Sequence, residues 1–92
     1  MAELLLSKFT QKGAMELLLL LLSGERKATE LTRAIYQQTA YRAISVLLQL
    51  KLVSVKKGFG NTKIYFLTPK GRKVAEKLTE IEAILKESES YE

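Results

Sequence analysis

The chain has 92 residues, the size of one small domain, and it carries a net charge of +5 with no Cys, no His and no Asp. These absences exclude disulfides and the usual zinc and redox-thiol sites, and they remove the commonest groups of general acid–base and nucleophilic catalysis. We therefore predict a single domain, 1–92, that is not an enzyme and uses no metal and no cofactor.

The charges are unevenly distributed along the chain. Residues 31–75 contain nine Lys or Arg and no acid, whereas all ten Glu lie outside that stretch. A segregation of this kind favours a polyanionic partner such as nucleic acid, and the alternative is an ordinary solvated, lysine-rich surface.

Two apolar segments open the chain. Residues 1–12 place Leu5 and Phe9 on one face of a short helix that we expect to pack on the domain. Residues 14–23 include six consecutive leucines, which predicts a buried central helix with Glu16 at its solvent-facing edge and Gly24 at its end. Because the run is shorter than the roughly 20 residues of a membrane span and no signal-peptide pattern precedes it, we predict a cytoplasmic location without membrane contact.

The middle of the chain predicts two helices joined by a tight polar turn. Residues 28–35 form the first, with Lys27 or Thr29 near its start. Residues 39–50 form the second, whose apolar stripe faces inward and leaves a polar edge. The stripe consists of Ala40, Ala43, Ile44, Leu47 and Leu48. Such a pair is typical of a helix-turn-helix.

A basic hairpin and a capped helix complete the chain. Within residues 52–66, a turn that holds Gly58, Gly60 and Asn61 separates two segments. Each segment either alternates apolar with polar residues or is continuously apolar, which predicts two strands. Thr68 suits the N-cap and Pro69 the first position of a helix over 68–88.

The closing helix carries apolar residues at alternating spacings of four and three, which is the pattern of a coiled-coil seam. We expect this seam, with two residues from the N-terminal segment, to form a homodimer; the alternative is packing within the domain. The predicted dimerisation residues are Leu5, Phe9, Val74, Leu78, Ile81 and Leu85.

With the elements in this order, residues 29–78 resemble the winged-helix transcriptional regulators of the MarR, PadR and ArsR type. The sequence ELTRAI at 30–35 looks like their opening "E-L-A-x-x-L" helix, and TAYRAI at 39–44 with Leu47 looks like their "T-x-Y-R-x-L…L" recognition helix. Leu52 and Val53 match the "G-L-V" entry to the hairpin, and YFLTPKG at 65–71 matches "Y-x-L-T-x-x-G".

The resemblance implies a mainly α fold with a small β-hairpin (α+β): a winged helix-turn-helix at 14–66, an N-terminal helix and a C-terminal dimerisation helix. Two departures have structural consequences. Lys51 stands where the family commonly has Gly, which predicts a strained backbone or a different path. Tyr36 and Gln37 replace a small Ser-type cap, so the sequence does not define the residue at which the recognition helix begins.

The resemblance also implies that the recognition helix lies in the major groove of double-stranded DNA and that the hairpin lies on the flanking backbone. Arg42 is the strongest candidate, since Arg pairs bidentately with guanine, although Arg equally binds phosphate. Tyr41 either contacts a phosphate or packs half-buried against the domain. For Gln37 and Gln38, an ordinary solvated side chain is as good an interpretation as a contact with a base. The predicted DNA-binding residues are Arg33, Gln37, Gln38, Thr39, Tyr41, Arg42, Ser45, Lys56, Lys57, Asn61, Thr62 and Lys63.

Phe59 is unusual for a solvated loop tip. We expect it to fold back on the hairpin; the alternative is a wedge against a sugar of the duplex.

The predicted function is that of a homodimeric, sequence-specific DNA-binding transcriptional regulator. Two alternatives stay open: a protein-interaction module with the same fold, or an architectural protein that coats DNA without reading bases.

Overall fold

The computed structural model describes residues 5–87, apart from the side chains of Leu5, Leu6 and Phe9. A short 3₁₀ helix over Leu5–Thr10 comes first, where the sequence predicted an ordinary helix. The elements that follow are α1 (Ala14–Leu22), β1 (Arg26–Lys27), α2 (Ala28–Ala34), α3 (Gln37–Gln49), β2 (Val53–Lys57), β3 (Lys63–Leu67) and α4 (Pro69–Glu87). Within residues 5–87, no helix is both long and apolar enough to cross a membrane.

The core forms around α1. Leu17 and Leu18 are fully buried there and meet Leu31 of α2 and Leu47 of α3 in one cluster. The buried Tyr65 of β3 joins the same cluster, so the sheet and the helices share one core. Glu16 lies on the exposed edge of α1, as predicted.

The helix boundaries differ slightly from the prediction. The backbone N–H of Lys27, the residue before α2, donates to Oε1 of Glu30 at 2.8 Å, which caps the helix. α3 begins at Gln37, two residues earlier than predicted, and the preceding Tyr36 makes no side-chain cap. The prediction that Leu48 faces inward was wrong: Leu48 lies at the edge of the buried stripe and is 36% exposed.

The sheet has three strands rather than the predicted two. Its order is β1-β3-β2, and both pairs are antiparallel. Tyr65 is the central residue, since it lies opposite Arg26 on one side and Val55 on the other. We call β2, β3 and the connecting loop 58–62 the wing. Because β1 is only two residues long, it has too few positions to show the alternation from which strands are predicted.

The turn after α3 has the strained backbone that Lys51 led us to expect. Lys51 has a φ of +62°, in the left-handed region that glycine occupies more readily. Its carbonyl accepts a hydrogen bond from Oγ1 of Thr68 at 2.8 Å, and the carbonyl of Leu50 accepts one from Nζ of Lys70 at 3.1 Å. The start of α4 therefore satisfies carbonyl groups at the end of α3.

The predicted cap of α4 is confirmed. Oγ1 of Thr68 accepts the backbone N–H of Gly71 at 3.0 Å, and Pro69 occupies the first helical position. Gly71 is buried, and a Cβ there would overlap the carbonyl of Leu52. Only glycine lets the start of α4 approach the backbone of Leu52, the residue before β2, this closely.

Candidate nucleic-acid interface

α3 exposes one polar edge. We call its five residues the recognition face: Gln37, Gln38, Tyr41, Arg42 and Ser45, all of them exposed. They lie on one side because the apolar residues that alternate with them at helical spacing are buried in the core. The face presents a guanidinium, two amides and two hydroxyls, and no acid.

Two other predicted residues lie away from this face. Thr39 is half-buried and borders the space beside Gly13 and Ile35, near the start of α1. Arg33 is exposed on the last turn of α2.

A cleft of about 500 Å³ lies between the wing, the start of α2 and one residue of α3. Tyr41 of the recognition face borders it together with Asn61, Thr62 and Lys63. The fold thus brings one residue of the recognition face to a common boundary with three predicted wing residues that follow it by about 20 positions in the sequence. The lining is completed by Lys27, Ala28, Thr29 and Tyr65, none of which was predicted to bind DNA.

Tyr65 lines this cleft and is almost completely buried. Burial raises the pKa of Tyr65 above its ordinary value, and the neighbouring Tyr41 raises it further. At neutral pH the phenol is therefore uncharged and adds no negative charge to this part of the surface.

Positive charge is concentrated at residues 57–63, which we call the wing tip. Lys57 and Lys63 lie directly opposite each other on β2 and β3, and both are exposed. Like charges in a directly opposed cross-strand pair repel, and an anionic partner would remove that repulsion.

Lys56 is in a different situation from its neighbour Lys57. Its Nζ lies 2.9 Å from Oε1 of Glu25 and 5.5 Å from the centroid of the Phe66 ring. Since successive residues of a strand point to opposite faces, Lys56 and Lys57 lie on opposite faces of the wing. The protein's own Glu25 thus partly satisfies the charge of Lys56.

The expectation that Phe59 folds back on the hairpin was wrong. Its side chain is 99% exposed, so it makes essentially no contact with the wing. The loop is closed beneath it by the backbone, with Gly58 N–H donating to the carbonyl of Thr62 at 2.7 Å.

The predicted dimerisation residues fall into three groups. Val74 and Leu78 pack against the domain's own core, whereas Ile81 and Leu85 are 50% and 59% exposed. The side chains of Leu5 and Phe9 lie outside the described part of the chain. A shallow groove of about 300 Å³ between α1 and α4 is lined by Met15, Glu16, Leu19, Leu78, Ile81, Glu82 and Leu85.

No group of three or more acidic, His or Cys side chains within residues 5–87 is arranged to hold a metal ion.

Comparison with solved structures identifies the architecture. The adhesin competence repressor AdcR of Streptococcus pyogenes superposes with a TM-score of 0.74 at 22% identity, over 91% of this chain and 68% of that one. The transcriptional regulator YodB of B. subtilis gives a TM-score of 0.72 at 22% identity, over 85% and 81% of the two chains. The transcriptional repressor BigR of Xylella fastidiosa gives 0.71 at 22% identity, over 96% and 85%.

The chain has a winged-helix fold. The predicted fold class, mainly helical with a small β wing, is confirmed. No protein-family model and no curated protein sequence matches the chain.

Proposed function

We propose that this winged helix is a sequence-specific double-stranded DNA-binding regulator of transcription that acts as a homodimer. In this proposal α3 enters the major groove and the wing lies on the flanking backbone. A cytoplasmic location, where a chromosome is accessible, is part of the same proposal.

The observation that carries the proposal is the shared boundary between the recognition face and the wing tip. Tyr41, Asn61, Thr62 and Lys63 border one cleft, and every charged residue between positions 31 and 75 is basic. A surface that combines a protruding polar helix with a cationic hairpin is complementary to a groove and its adjacent phosphates.

The residues divide into two roles. Arg42, Gln38 and Gln37 carry the donors and acceptors suited to base edges in the major groove. Lys57 and Lys63 supply sequence-independent attraction to phosphate. This attraction weakens as the salt concentration rises, because counterions displaced from the DNA gain less entropy on entering a more concentrated solution. Lys56 contributes less, because its ion pair with Glu25 must break before it can bind phosphate.

The homodimer is proposed on the exposed apolar residues of α4. Ile81, Ile84 and Leu85 are each at least half exposed, and the groove beside α1 would be filled by apolar side chains of a second copy. A two-fold dimer places its recognition helices about 34 Å apart, so a palindromic binding site is expected.

Selection of bound sequences from a random duplex pool tests this function. We expect a palindromic consensus and an affinity for it that falls steeply with salt concentration. Arg42→Ala should lower affinity for the consensus by roughly tenfold or more and relax the preference at one base pair per half-site, whereas Lys77→Ala on α4 should change neither.

The alternatives give different results in the same experiment. A uniform loss on every duplex for Arg42→Ala, without a consensus, would indicate a DNA-coating protein. Absence of salt-dependent binding to any duplex would overturn the proposal and favour a protein-interaction module.

A further inference from the structure

Phe59 at the tip of the wing is the most exposed large apolar side chain among those described. It is 99% exposed, and the next, Tyr36, is 75% exposed. Full burial of a Phe side chain is strongly favourable, so an aromatic ring left entirely in water is suited to a binding partner.

The loop holds this ring on a narrow support. Gly58 and Gly60 flank Phe59, and a Cβ at Gly58 would collide with the side chain of Ile64. Gly60 has a φ of +70°, and the space around its Cα is open. Thr62 N–H donates to the carbonyl of Phe59 at 3.4 Å, which closes the turn. The ring is therefore the only side chain that projects from the 58–60 segment.

The surroundings of the ring select the class of partner. Lys57 and Lys63 lie at the two strand ends that bear the loop, Asn61 is exposed within it, and Glu25 pairs with Lys56 on the other face of the wing. A partner must therefore combine an apolar crevice with dense negative charge along its edges. The minor groove of DNA has these properties. It is about 6 Å wide, its walls and floor consist of sugars and base edges, and a row of phosphates runs along each side.

We propose that Phe59 is a minor-groove wedge: the wing inserts the ring against sugars and a base step while Lys57 and Lys63 bind the phosphates on either side. Apolar wedges of this kind partially unstack a base step and bend the duplex. The contact would favour flexible pyrimidine–purine steps beside each half-site, so Phe59 would determine specificity without hydrogen-bonding to a base. This inference rests on the proposed DNA-binding function.

The test uses the full chain and a selected duplex of about 30 base pairs that carries 2-aminopurine at the steps flanking each half-site. Wild-type binding should raise 2-aminopurine fluorescence, because unstacking relieves quenching. Phe59→Ala should abolish the rise and weaken binding about tenfold, with an unchanged salt slope, since no phosphate contact is lost. Phe59→Leu should retain most of both effects.

Val55→Ala is the matched control, since it removes another exposed apolar side chain of the wing and should leave fluorescence and affinity unchanged. Wild-type affinity and fluorescence in Phe59→Ala, while Arg42→Ala is weakened, would overturn the wedge and leave the proposed function intact. A reduced salt slope in Phe59→Ala would also overturn the wedge, since it would indicate a wing displaced from phosphates. Failure of the wild-type protein to bind any duplex would overturn both proposals.

Discussion

Lys51 carries a conformational cost that the fold tolerates. For a non-glycine residue, a φ of +62° costs about 1–2 kcal/mol relative to the right-handed helical conformation. The hydrogen bonds of the adjoining turn hold Lys51 in this conformation. Lys51→Gly should therefore raise the free energy of unfolding, by about 0.5–1 kcal/mol after the larger chain entropy of glycine is subtracted.

Lys51→Ala is the control for this prediction, because it removes the charge and keeps the Cβ. Urea unfolding should give a stability close to that of the wild type for Lys51→Ala. Equal gains in the two variants would mean that the lysine charge, and not the backbone, is the source of the strain.

Tyr65 makes stability depend on alkaline pH. Because its pKa is raised in the folded state, mainly by burial, the unfolded chain releases the phenolic proton first as the pH passes about 10. The stabilising contribution is thus complete below that pH and is lost as the pH rises further. Thermal unfolding of Tyr65→Phe should show a smaller decline than the wild type above about pH 10.

The exposed Tyr36 offers a matched phenol for this comparison. Tyr36→Phe should follow the wild-type decline, and a Tyr65→Phe curve parallel to the wild type would contradict the assignment.

At the scale of the element, local signals in the sequence predicted which segments form helices and the hairpin, but not the 3₁₀ geometry of Leu5–Thr10 or the start of α3 at Gln37. Thr68 and Pro69 define the start of α4 through their own backbone and side-chain chemistry. Lys51, at a position where glycine is usual, correctly predicted the strained turn. The short β1, the Glu25–Lys56 ion pair and the cleft lined by Tyr41 and Lys63 depend on contacts between distant segments, so no local pattern predicted them.

The close approach of α4 to Leu52, the residue before β2, leads to a prediction for Gly71. Ala is a better helix former than Gly by about 1 kcal/mol, so helix propensity alone would make Gly71→Ala stabilising. We expect the opposite, a loss of about 2 kcal/mol or more, because the added Cβ overlaps the carbonyl of Leu52 and must push α4 away.

Calorimetry or urea unfolding measures this change. Lys73→Ala, an exposed position on the same helix, should stay within about 0.5 kcal/mol of the wild type. A Gly71→Ala protein as stable as Lys73→Ala would show that the close approach is dispensable.

For the whole molecule, the proposed dimer depends on the exposed half of α4. We expect wild-type protein at micromolar concentration to have twice the 10.4 kDa mass of the chain, and Ile81→Glu to have the mass of one chain. The new carboxylate would lie in an apolar interface beside Glu82 and Glu16, where burial and like-charge repulsion both oppose association.

Ala83→Glu adds the same charge to an exposed position of α4 outside this groove. It should remain dimeric in light scattering. A dimeric Ile81→Glu, or a monomeric wild type, would place the interface elsewhere or remove it.

The proposed function requires that the recognition face and the wing tip act together as one surface for duplex DNA. Backbone amide chemical shifts, followed residue by residue during titration with the selected duplex, test it most directly. We expect the largest changes within 37–45 and 57–63, and we expect Phe59 and Arg42 to respond at the same duplex concentration. Changes confined to the groove between α1 and α4, or to only one of those two segments, would contradict it.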